Sequence, residues 1–141
     1  MTGPARAPDG GRRALQAAIC VGALVPLSAG AAGVWLGPAM LGADAVPPDL
    51  ASHFRYLSGL LLGIGIAFVA LVPRIERATV PVRLLTALVV AGGLARLAGL
   101  GLDPLPAWPH RLALAMELGV TPLLCLWQAR VARRAKAWAN P

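Results

Sequence analysis

A chain of 141 residues that is 57% hydrophobic and 13% charged, with a mean hydropathy of +0.69, carries too little charge to coat a water-soluble fold of its size. Its net charge of +7 would suit nucleic acid, but the cations gather at the ends of apolar runs without interleaved aromatics, which speaks against a nucleic-acid stripe and for membrane flanks. The two cysteines, Cys20 and Cys125, lie inside apolar runs with neither CxxC spacing nor a neighbouring His, so they read as small hydrophobic residues with no metal, redox or disulfide role.

Residues 1–13 are polar and basic, offer no apolar period to bury, and read as a disordered cytoplasmic tail. From Ala14 to Leu41 no charged residue occurs, which exceeds the roughly 20 residues a helix needs to cross hydrocarbon. This first crossing holds Pro26, which removes a backbone donor and predicts a bend. A cleavable signal peptide is the competing reading, with a basic start and the small residues Ala29, Gly30 and Ala31 as its cleavage region. The apolar run continues through Val34, Trp35, Leu36 and Met40, which favours a retained span.

A polar loop over 42–54, with Asp44, Pro47, Pro48, Asp49 and His53, precedes a second crossing at 55–72. Pro73, Arg74, Glu76, Arg77, Pro81 and Arg83 form the next connection, and the third crossing spans 84–102. Asp103, Pro104, Pro106 and Pro109 make a stiff turn before a fourth crossing at 111–128. The membrane domain therefore covers 14–130, and the basic tail at 131–141 continues the helical pattern on the cytoplasmic side. The expected fold class is all-α, an integral membrane four-helix bundle with both termini cytoplasmic.

Orientation follows from the cations. The first tail, the middle connection and the last tail hold ten of the thirteen, and the opposite side has only Arg55 and Arg111. Trp35 and Trp108 fall at the expected outer boundary and Trp127 at the inner one, where amphipathic rings prefer to sit.

Two charges fall within spans, Arg96 and Glu117, and such residues are costly in hydrocarbon. An Arg at the helix centre costs about 2.5–3.5 kcal/mol and each Leu or Val returns about 0.3–0.6 kcal/mol, so the nine Leu and Val residues of the third span outweigh it. Arg96 stands six positions before Leu102 and Glu117 six after Arg111, which puts each about 9 Å below one boundary. The two antiparallel spans should bring them together. Gly92 and Gly93 before Arg96, and Gly99 after it, let neighbouring backbones approach.

In the second span Arg55, Gly59, Gly63 and Ala67 recur every four residues and predict a packing seam with a cation at its outer end. Facing the bundle interior, this seam would bring Arg55 to Arg96 and Glu117, with the Thr121 hydroxyl one turn below. The candidate site is thus Arg55, Arg96, Glu117 and Thr121. It holds no catalytic set, metal site or cofactor motif: the spacings of His53, His110, Asp44, Asp49 and Asp103 match no ligand pattern, and Gly59, Gly63 and Gly65 lack the strand that a nucleotide fingerprint requires.

The segments FRYLSGLLLGIG (Phe54–Gly65), GGLARLAGL (Gly92–Leu100) with Asp103 and Pro106, and MELGVTPLL (Met116–Leu124) resemble the domain-of-unknown-function 4345 family over roughly residues 15–130. The matching positions are Arg55, Gly59, Gly63, Gly92, Gly93, Arg96, Asp103 and Glu117. Pro104 departs from the pattern, where glycine is expected after the aspartate. The resemblance implies a small bacterial four-helix protein of the inner membrane and assigns no reaction.

The combined reading is a non-enzymatic component of the cell membrane with a buried Arg/Glu cluster. The alternative is a small transporter or binder of an anionic small molecule, a lipid headgroup or a quinone, and a membrane enzyme stands third. The expected partners are the lipid bilayer and, at the basic segments, anionic lipids. Nucleic acid is not expected, and the sequence specifies neither a protein partner nor an oligomeric state.

Overall fold

A computed structural model describes residues 10–43, 45–102 and 104–139 of the chain. Among these residues every regular element is helical and no strand occurs. Helix α1 (Gly10–Leu36) runs into a 3-10 segment, Gly37–Leu41. Helix α2 (Pro48–Leu71) ends in a second 3-10 segment, Val72–Arg77, and α3 (Thr79–Gly99) follows. The last stretch consists of α4 (Trp108–Ala115), one π-helical turn (Met116–Val120) and α5 (Thr121–Ala139). Each of the four apolar runs thus falls in its own helical stretch, the third except for its last three residues, and each stretch is long and apolar enough to cross a bilayer.

The helices extend beyond the apolar runs that announce them. Helix α2 starts at Pro48, well before Arg55, because proline in a first turn lacks only a donor that the helix does not use there, and Asp49 suits the positive end of the dipole. Asp49, His53 and Phe54 are therefore helical rather than looped. Helix α3 starts at Thr79 and tolerates Pro81 in its first turn for the same reason. It ends at Gly99, and Leu100–Leu102 close a turn in which their amides donate hydrogen bonds to the carbonyls of Leu97, Ala98 and Gly99. At the N-terminus α1 takes in residues 10–13, which the sequence assigned to the tail, and at the other end α5 runs on through the basic residues to Ala139. The expected tail over residues 1–9, the aspartates at 44 and 103, and residues 140–141 lie outside the described residues.

The chain divides into two compact units, Ile19–Val72 and Met1–Ala18 with Pro73–Pro141. Within the first, α1 and α2 are antiparallel partners: Leu27 faces Gly65, Gly30 faces Leu62, and Gly33 faces Ser58. A Cβ on Gly30 would stand 2.6 Å from the Leu62 backbone nitrogen, so the two backbones touch where no side chain fits. Ser58 is buried at this seam because its hydroxyl donates to the Phe54 carbonyl of its own helix, 2.8 Å away.

This seam corrects the expected one. Within the chain α2 packs through Phe54, Ser58, Leu62 and Gly65, whereas Gly63 would meet nothing within 4 Å and Gly59 only Val34 Cγ2 at 4.0 Å. The expected stripe repeats every four residues and the observed one every three or four, both of which keep to one helix face, and the glycines of α1 select the one beside them.

In the second unit α3 runs antiparallel to the π-turn and α5. Gly93 is buried against Glu117 and Leu118, while Gly92 faces open space and Gly99 is the last residue of α3. The same unit buries the apolar residues Leu15, Ile75, Ala78, Val82 and Ala132, and with them a fully buried polar residue, Gln128. The Gln128 Nε2 donates to the Ile75 carbonyl at 2.7 Å and to the Thr79 hydroxyl at 3.2 Å, fastening the 3-10 segment to α5.

Candidate functional site

Arg96 lies in the last turn of α3, where the unpaired carbonyls of a helix end favour a cation. Its Cβ leans toward the helix N-terminus, away from the turn and toward the level of Gly93. Glu117 stands there on the π-turn. The two side chains meet as a fork: Arg96 Nε donates to Glu117 Oε2 and Nη2 to Oε1, both at 3.1 Å. Such bidentate pairs combine charge with fixed geometry.

The two residues stand at unequal distances from their helix ends. Because α3 ends at Gly99 and α4 begins at Trp108, Arg96 is three residues from its helix end and Glu117 nine from its helix start. The arginine side chain bridges the offset. The pair is partly covered, with side-chain exposures of 35% for Arg96 and 18% for Glu117.

A third member went unread as part of the pair. His110, in the first turn of α4, places Nδ1 3.3 Å from Arg96 Nη1. A guanidinium has no acceptor, so in this contact Nδ1 accepts and the ring proton belongs on Nε2. All three guanidinium nitrogens of Arg96 are thus engaged by side chains of the stretch that follows α3. His110 sits where apolar run meets turn, and its only signal in the sequence is that it lies seven residues before Glu117, on the same helical face.

The π-turn is also new. Pro122 has no amide to return to the Leu118 carbonyl and its ring would crowd that group in an α-helix. The ladder instead widens by one residue, and the Met116 carbonyl accepts from the Thr121 amide and, at 2.9 Å, from the Thr121 hydroxyl. Thr121 therefore donates its hydroxyl proton to backbone and adds no donor to Glu117. Single π-turns recur at functional sites, and Pro122 after Gly119 was its legible cue.

Arg55 belongs to the other unit. It is exposed on α2, and its guanidinium fills the space a Cβ on Gly37 would need, with Nη1 2.5 Å from that position. Gly37 has φ +62°, so both its backbone and the arginine beside it require glycine. His53 stacks loosely on Tyr56, ring centres 6.4 Å apart. Among the described residues no group of three or more His, Cys, Asp or Glu side chains is placed to hold a metal ion.

A family model described as Domain of unknown function (DUF4345) matches residues 14–128. The chain belongs to the DUF4345 family. The matched segment reaches into all four helical stretches of this DUF4345 protein and contains Arg55, Arg96, His110 and Glu117. No curated protein and no solved structure matches the chain. Membership confirms the resemblance read from the Gly-rich segments and brings no activity with it.

Proposed function

We propose that this DUF4345 protein is a non-enzymatic, multi-pass component of the bacterial inner membrane, a four-helix bundle with both termini in the cytoplasm. The Arg96–Glu117 fork, braced by His110, serves to lock its last two spans together. The observation that carries this reading is the pairing of Arg96: one carboxylate cancels its charge and each of its three nitrogens meets one acceptor atom, which leaves no net charge in the cluster to attract an anion. Membrane insertion is supported by the small share of each apolar stretch covered within the chain, from 6% to 22% of the most apolar window. Orientation is supported by the cation distribution alone. Reporter fusions at each end test it. Both should report the cytoplasm, and reporters on opposite faces, or a purified chain that stays monodisperse without detergent, contradict the reading.

A small transporter or a binder of an anionic small molecule, lipid headgroup or quinone is the second reading, favoured by the π-turn at Glu117 and by the third of the Arg96 side chain left open. It requires Glu117→Gln to abolish uptake while folded protein remains in the membrane.

A further inference from the structure

A second polar constellation lies where the 3-10 segment Val72–Arg77 meets the basic end of α5. Arg12, in the first turn of α1, pairs with Glu76 (Nε to Oε2, 3.1 Å) and donates through Nη2 to the Pro73 carbonyl at 3.1 Å. Beside the pair opens a cleft of about 380 Å³ lined by Glu76, Arg77, Ala135 and Lys136. Glu76 is already neutralised by Arg12. The charges left over are two cations of the lining, Arg77 from the 3-10 segment and Lys136 from α5, and among the described residues neither forms an ion pair. Arg74, Arg130, Arg133 and Arg134 are exposed on the same two elements and raise the potential around the opening.

We infer that this cleft binds a phosphate-bearing anion between Arg77 and Lys136, with Arg12 masking the one carboxylate that would repel it. The ligand is a lipid phosphodiester headgroup or a free phosphate. The lipid source rests on the proposed membrane orientation: Lys136 lies eight residues past Gln128, about 12 Å along the helix, and its side chain leans back toward the bilayer.

Native mass spectrometry of the full-length chain released from detergent micelles tests this, with added phosphatidylglycerol, phosphatidylcholine of the same chain length, or inorganic phosphate. Phosphatidylglycerol should be retained over phosphatidylcholine. Arg77→Gln and Lys136→Gln should each lower its retention about fivefold, and about 30-fold together. Arg133→Gln with Arg134→Gln removes the same charge outside the cleft and should cost less than fivefold, whereas Glu76→Gln should raise retention. Displacement of the lipid by excess inorganic phosphate identifies free phosphate as the ligand, and resistance to displacement identifies the headgroup.

Equal losses in the two double variants, no preference over phosphatidylcholine, or binding of neither probe overturns the inference, with thermal unfolding confirming that each variant is folded. A chain that needs no detergent contradicts the membrane reading and leaves the inorganic-phosphate arm to decide the cleft. Equal losses in an inserted chain contradict the cleft alone.

Discussion

Gly93 stands against Glu117 so closely that a Cβ on the glycine would come within 2.9 Å of the glutamate Cβ and 2.8 Å of Leu118 Cδ2. That approach brings α3 near enough to the π-turn for Arg96, one turn further on, to reach both oxygens of the carboxylate. Gly93→Ala is expected to destabilise the protein by about 1–3 kcal/mol through overpacking. Gly92→Ala, beside it but facing open space, should be neutral or stabilising by up to about 1 kcal/mol, since alanine is the better helix former. Unfolding in detergent micelles compares the two, and equal effects contradict the packing described.

The same comparison applies to the α1–α2 seam. Gly30→Ala forces a methyl group into the Leu62 backbone and should lower the yield of folded protein sharply, whereas Gly63→Ala should leave the monomer unaffected. Size-exclusion profiles of the two variants in detergent check this expectation. Loss of folded protein from Gly63→Ala with a tolerated Gly30→Ala restores the seam that the sequence suggested.

Much of this architecture was legible in the sequence because burying charge in hydrocarbon is expensive. Four long apolar runs imply four helical stretches, and an isolated Arg and Glu within the last two imply a pair. Helix ends were less legible, because apolarity marks where lipid would lie while α2 and α5 continue as helices through Asp49 and Arg134. The phase of the α2 seam was ambiguous because Ser58 and Gly59 both begin plausible stripes and only the glycines of α1 decide between them. Gln128 looked like the end of a span. It is also the buried anchor of the 3-10 segment, a role set by the Ile75 carbonyl, which no local pattern places beside it.

Gln128 yields a prediction of its own. Gln128→Leu removes two donated hydrogen bonds from a buried site and should cost about 1–3 kcal/mol. Gln128→Glu should cost more, because a carboxylate oxygen would replace the donor that faces the Ile75 carbonyl. Unfolding midpoints in detergent at neutral pH order the variants, and a more stable Gln128→Glu contradicts the assigned amide orientation.

Pro122→Ala restores an amide to the helix and removes the reason for the π-turn. The expected outcome is a conventional α-helical ladder that rotates Glu117 relative to α3 and weakens its fork with Arg96. Hydrogen exchange over residues 116–122 should slow in the variant, while Arg96→Met should become less damaging in that background than in the wild type. Unchanged exchange and an undiminished Arg96→Met effect contradict the link between the proline and the placement of Glu117.

The clamp itself is tested most directly by a double-mutant cycle of Arg96→Met and Glu117→Gln, read as unfolding free energy in detergent micelles. Each single variant strands a partly covered charge and should lose about 2–4 kcal/mol, between the small worth of exposed pairs and the larger cost of breaking buried ones. The double variant should lose clearly less than the sum, with a coupling of about 1–3 kcal/mol. Single variants as stable as the wild type, or losses that simply add, would show that Arg96 and Glu117 do not hold the last two helical stretches together.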